Sequence, residues 1–285
     1  MDNRILIPTM IITLILFSSA GPFAALLNNP LQKLFGDYSL NWAGYYVSGS
    51  SYNYANATWI VPAVLNGTGG YSSAWVGIGG INGSGNLIQA GTEQECLSDI
   101  TTGDEGKVHG QVLVDMPSSG GNKGGSGSFS GCTPVYYAWW ETYPANKEQK
   151  IDTIAVSPGD TISAFIQQIS PGVWIINITD ITKGQSFQTT ENFYPDQTTA
   201  EAIIERPLLC LETCQLTDLA DFGSIRFSGA FAVSTKGDYF DLLPDNTPIK
   251  MVDNNSKIMA SPTTIVNQGT FDVNGVGKIN SIIYV

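Results

Sequence analysis

The chain has 285 residues and 42% hydrophobic content, enough for one large core or two ordinary ones, so a disordered chain is excluded. Charged residues make up 13%, about half the usual share, and the formal net charge is −12, which excludes a nucleic-acid reader with its basic face. One histidine in the whole chain excludes a histidine-rich zinc site, and few bases mean little positive self-repulsion in an acidic medium.

The N-terminus reads as an export signal. Arg4 precedes an apolar run over residues 5–17, and Ser18-Ser19-Ala20 follow as small residues. The run is short of the ~20 residues a membrane span needs, so cleavage and secretion are expected, with no stable membrane association afterwards. The expected organisation is a signal peptide over 1–25, a short pro-segment or linker over 26–37, and a single β domain over 38–285, acting as a monomer. The four cysteines, Cys96, Cys132, Cys210 and Cys214, form an even set in an exported chain. Three pairings exist. The expected one is Cys96–Cys132 with Cys210–Cys214, because the second pair is local.

From residue 41 the pattern is β throughout. Residues 41–47 are aromatic and β-branched and run into a turn at 48–51. Residues 57–61 form a strand stopped by Pro62, and residues 71–78 form another ended by Gly79-Gly80. A short strand is expected over 87–90, between Gly85 and Gly91. Residues 118–131 are glycine-rich and read as a surface loop. Residues 136–143 are strongly aromatic, and residues 160–170 and 172–181 read as a hairpin around Ser170-Pro171-Gly172. Short strands without a long helical period predict an all-β sandwich or barrel.

The stretch 198–207, Thr-Thr-Ala-Glu-Ala-Ile-Ile-Glu-Arg-Pro, sets two carboxylates beside apolar residues. As a strand it places Glu201, Ile203 and Glu205 on one face and Ala202, Ile204 and Arg206 on the other. Thr198 and Glu201 also make a capping box, so a short helix is the rival; the surrounding β pattern favours the strand.

Candidate chemistry is sparse. His109 sits among polar turn residues and reads as an exposed loop histidine, so a Ser-His-Asp or Cys-His site has weak support. The Asp-Thr-Gly and Asp-Ser-Gly loops of paired-aspartate peptidases are absent. What remains is a carboxylate acting with neutral polar partners. Glu205 and Glu141 are the candidates, each of which could equally be a solvated strand residue. Gln89, Trp75 and Trp139 taken singly could be packing residues.

Taken in order, several blocks change these odds. They are Asn41-Trp42-Ala43-Gly44, Ala57-Thr58-Trp59-Ile60-Val61-Pro62, Ala74-Trp75-Val76-Gly77-Ile78 and Leu87-Ile88-Gln89-Ala90-Gly91. Ala138-Trp139-Trp140-Glu141-Thr142-Tyr143-Pro144 and Ala200-Glu201-Ala202-Ile203-Ile204-Glu205-Arg206-Pro207 complete the set. The chain thus resembles the glutamic peptidases, the eqolisins of peptidase family G1. The resemblance implies an antiparallel two-sheet β-sandwich of the concanavalin-like jelly-roll type, secretion, and endopeptidase activity on polypeptides at acid pH without a cofactor or metal. It implies a catalytic pair, which matching motifs put at Gln89 and Glu205, and a cleft lined by Trp75, Trp139 and Glu141. The chain departs from the family at Gly79, where Asp is frequent, and in a longer segment over 99–131. A glycoside hydrolase using Glu141 and Glu205, or a lectin, is the alternative on a sandwich with exposed tryptophans.

Overall fold

The computed structural model describes residues 37–64, 69–81, 85–98, 132–210, 214–241, 247–267 and 269–276. The expected signal segment, residues 26–36, His109 and the glycine-rich 118–131 stretch lie outside them, as do the side chains of Cys132, Cys210 and Cys214.

No helix occurs among the described residues. The first strands in chain order are β1 (Asp37–Ser39), β2 (Trp42–Ser48), β3 (Tyr52–Ile60), β4 (Gly70–Gly79), β5 (Leu87–Ser98) and β6 (Cys132–Tyr143). There follow β7 (Asn146–Ile151), β8 (Thr161–Ser170), β9 (Val173–Asp180), β10 (Gln185–Asn192), β11 (Thr199–Glu205) and β12 (Leu208–Cys210). The last are β13 (Cys214–Leu216), β14 (Ser224–Ser234), β15 (Tyr239–Asp241), β16 (Thr247–Val252), β17 (Ile258–Pro262) and β18 (Phe271–Gly275). Residues 198–207 therefore form a strand and not a capped helix, ended as expected before Pro207.

Hydrogen bonding runs in one path, β10-β9-β8-β3-β14-β18-β17-β16-β2-β11-β4-β5-β6-β7, and β12 pairs with β13 alone. The ladders are antiparallel except β1 on β16. The path folds over on itself: β4, β5 and β11 of one half pack on β3, β8, β9 and β14 of the other. This makes the sandwich, with the two layers still joined along the β16–β17 ladder.

Alternation decides what lies between the layers. Ala200, Ala202 and Ile204 of β11, Ala74, Val76 and Ile78 of β4, and Ile88 and Ala90 of β5 all enter one buried cluster. Small side chains on this layer leave room for large ones on the other, where Trp59, Trp174, Phe227 and Phe271 are at most 1% exposed. Each such side chain contributes roughly 1.5–3 kcal/mol by leaving water. One polar tie crosses the core: Trp59 Nε1 donates to Thr92 Oγ1 at 2.9 Å.

The short strand expected over 87–90 is a correction. Gly91 does not stop it, and β5 runs on to Ser98. Gly91 is there for packing: a Cβ would meet the Ala74 carbonyl oxygen, would lie 2.6 Å from Trp75 Cβ, and would press on the Trp139 ring. Its glycine is required by two tryptophans and not by a turn.

Candidate active site

The face of β2, β11, β4, β5 and β6 turned away from the core carries the candidate residues, and register alone assembles them. In one cross-strand row Glu205 lies between Trp42 and Ser73, Ser73 pairs with Glu93, and Glu93 with Tyr137. In the next, Ile203 pairs with Trp75, Trp75 with Gly91, and Gly91 with Trp139. In the third, Glu201 pairs with Gly77, Gly77 with Gln89, and Gln89 with Glu141. Because opposed residues share a face, Glu205, Glu201, Gln89, Glu141, Trp75 and Trp139 all project to the same side.

Glu205 is the last residue of β11 and keeps a partial opening to solvent. Trp75 Nε1 donates to its Oε2 at 2.8 Å, and Asn41 Nδ2 donates to its Oε1 at 3.1 Å. Trp42 stacks edge-on against Trp75, with ring centroids 4.9 Å apart. Its own indole N–H lies close enough to favour the charged carboxyl but makes no hydrogen bond. Burial nevertheless dominates and, with the charge of Glu141, pushes the Glu205 carboxyl up to about 7. Glu93 and Glu201, each 2% exposed with both carboxyl oxygens unpartnered, are raised well above the usual range, chiefly by burial.

Gln89 is 5% exposed and donates Nε2–H to Glu141 Oε2 at 2.6 Å, while its Oε1 is buried without a partner. Gln89 and Glu205 are each hydrogen-bonded to a different neighbour, Gln89 to Glu141 and Glu205 to Trp75 and Asn41. Trp75 and Trp139 are 0% and 3% exposed, and both indole N–H groups are engaged, Trp139 donating to Ser73 Oγ at 3.0 Å. They form the packed floor of this face together with Trp42, Tyr46, Leu87 and Ile203.

Gly79 has φ of 99°, and a Cβ would lie 2.6 Å from the Asp196 carbonyl oxygen and also against that of Asn86. An aspartate cannot be accommodated at this position without moving that backbone.

Sequence reasoning missed Asn41, Trp42, Ser73 and Glu93. The signal for Glu93 was its even spacing from Gln89, hidden by ending the strand at Gly91. Asn41 and Trp42 open the first family block, but nothing in that block points to a role for either. A cavity of about 190 Å³ lined by residues including Asp218, Asp253, Lys257 and Met259 lies apart from this face and contains none of its residues. Among the described residues no group of three or more His, Cys, Asp or Glu could hold a metal ion.

A two-layer sandwich whose outward strand face buries carboxyls beside tryptophans and one glutamine defines the class: an all-β protein with an acid-rich, glutamine-bearing face among the described residues. The peptidase A4 family model matches residues 40–108 and 114–274, and the chain belongs to that family, the eqolisins. Aspergillopepsin-2 of Aspergillus niger is 29% identical over 245 residues, covering 76% of this chain and 73% of that protein. Scytalido-glutamic peptidase, solved with a transition-state analog inhibitor, superposes with a TM-score of 0.64 at 22% identity, over 84% of this chain and 99% of that one. Aspergilloglutamic peptidase from Aspergillus niger gives a TM-score of 0.52 at 25% identity, over 73% and 99% respectively. The chain is a glutamic peptidase by family, and the sugar-directed alternative has no support in these matches.

Proposed function

We propose that this chain hydrolyses polypeptides internally, on the acid side of neutrality, with Glu205 and Gln89 as its catalytic pair. The observation that carries the reading is the state in which the face holds them. Glu205 is a partly open carboxyl fixed by two N–H donors, and Gln89 is a buried amide with an unspent acceptor and one free N–H.

Glu205 in its ionised form takes a proton from a water between the two side chains. The hydroxide oxygen adds to the scissile carbonyl carbon, and the carbonyl oxygen becomes an oxyanion. Gln89 donates its free N–H to that oxyanion, a type of contact whose loss elsewhere costs about 2.7–4 kcal/mol. As the C–N bond breaks, Glu205 returns the proton to the leaving amine. One carboxyl serves as base and then acid, so no second titrating group is required.

The sequence alone leads one to expect an optimum near an ordinary carboxylic pKa. With Glu205 raised, we place the acid limb of the profile between the ordinary 4.5 and about 7. We extend the reading to an exported monomer that needs no metal or cofactor and is tied by Cys96–Cys132 and Cys210–Cys214. Support for the ties is that Cys96 is disulfide-bonded and that Cys210 and Cys214 are register partners in the β12–β13 ladder.

The test is digestion of unfolded casein and of an oligosaccharide panel, read by mass spectrometry, with pepstatin present to silence contaminating aspartic peptidases. Casein should be cut at internal bonds and the oligosaccharides left whole, and Gln89→Ala should lose the casein activity. Sugar cleavage, or undiminished proteolysis by Gln89→Ala, would sink the proposal.

A further inference from the structure

Glu141 was expected to touch substrate, but its geometry suits another task. It stands directly opposite Gln89 in the β5–β6 ladder, and the contact between them, at 2.6 Å, is among the shorter side-chain hydrogen bonds of the molecule. The backbone N–H of Glu148 lies near enough to favour the charged form of this carboxyl as well. A glutamine amide has two nearly isosteric senses, oxygen or nitrogen toward a given neighbour. Burial raises the Glu141 carboxyl above its ordinary range and the Gln89 N–H works against that rise; while ionised, the carboxylate accepts only from N–H and repels the amide oxygen. The buried Oε1 of Gln89, without any partner, is what this choice leaves free.

We propose that Glu141 is a positioning residue that fixes the sense of the Gln89 amide, keeping Oε1 and the second N–H available to the reacting water and the developing oxyanion. This rests on the peptidase reading for what the amide then does, but not for the orientation itself. Without an acceptor at position 141, the amide is free to turn over and populate the sense in which its oxygen faces the oxyanion. That sense is repulsive in the transition state and nearly neutral in the ground state. The loss therefore falls on kcat and not on KM.

Two variants and one spectrum test it. Glu141→Leu removes the acceptor, and Glu141→Gln keeps one amide oxygen that can still take the Gln89 N–H. Glu141→Leu is expected to lower kcat about 100-fold with KM within about twofold, the scale of a misplaced catalytic group. Glu141→Gln should recover most of that loss. Should Glu141→Leu not fold, Glu141→Val, β-branched and without an acceptor, replaces it. Independently of turnover, the two side-chain N–H resonances of Gln89 should be more widely separated in the wild type than in a free glutamine side chain, and should return toward the free separation in Glu141→Leu. A raised KM with kcat intact in both variants would make Glu141 a substrate contact and overturn the proposal. So would a Glu141→Gln as inactive as Glu141→Leu, which would make Glu141 a proton-transfer group. An unchanged Gln89 spectrum in Glu141→Leu would overturn the orientation directly. A wild type that cuts no peptide would instead overturn the peptidase reading, with the spectrum still deciding whether Glu141 orients Gln89.

Discussion

Strand β11 has two faces that are buried to the same degree by different means. Ala200, Ala202 and Ile204 are at most 1% exposed and face the opposite layer. Glu201 and Ile203 are at most 2% exposed on the other side, where Glu205 ends the row half-open. Apolar burial stabilises at every pH. Burying a carboxyl is tolerable only while it keeps its proton, or where donors such as Trp75 and Asn41 reach it. One strand therefore contributes a pH-independent half to the fold and a pH-dependent half to the site, and the two can be separated by substitution.

The strongest separation is at Glu205. Glu205→Gln should lower turnover by about 10²–10⁴-fold while leaving the thermal midpoint below about pH 5 unchanged, checked by casein kinetics and circular dichroism. Gln89→Ala should cost about 10²–10³ in kcat, because it removes one oxyanion donor. The reverse pattern belongs to the core face. Ile204→Ala should destabilise by about 2–5 kcal/mol in denaturant titration while the folded fraction keeps its kcat.

A smaller effect sharpens the comparison through pH. A carboxyl whose folded pKa lies above its unfolded value holds its proton more tightly in the fold. Its pH-dependent share of stability is fully present below the ordinary 4.5 and is lost as pH rises through the folded value, about 7 for Glu205 and well above the ordinary range for Glu93 and Glu201. Thermal midpoints should therefore fall as pH rises above about 4.5, and Glu201→Gln should flatten that fall. An equally steep decline in Glu201→Gln and Glu93→Gln would show that the acid face is not its source. The smallest effect is at Trp75. Trp75→Phe removes a donor to the Glu205 carboxylate, so the acid limb of kcat/KM should move to higher pH with only a few-fold loss at the plateau.

Alternation made much of this readable in the sequence. The two-residue spacing of Glu201, Ile203 and Glu205 is enough to assign them one face, and the β8–β9 hairpin follows from Ser170-Pro171-Gly172. Two things were not readable. Glycine is a stop signal in a strand pattern, yet Gly91 lies within β5 because Trp75 and Trp139, distant in sequence, fill the space above it. That one glycine concealed Glu93 and two thirds of a strand. The hydrogen bond from Gln89 to Glu141 was also invisible, because it depends on the β5–β6 register across a connection of more than thirty residues. Family blocks named both residues but could not say that one holds the other.

The central claim is that the Glu205 carboxylate is the base. The most direct measurement is kcat/KM against an unfolded protein substrate from about pH 3 to pH 8, for wild type and Glu205→Gln side by side. The account predicts a wild-type profile that rises along an acid limb between 4.5 and about 7, and a Glu205→Gln variant that is folded, nearly inactive and without that limb. A Glu205→Gln variant that kept both the rate and the limb would place the base on another residue.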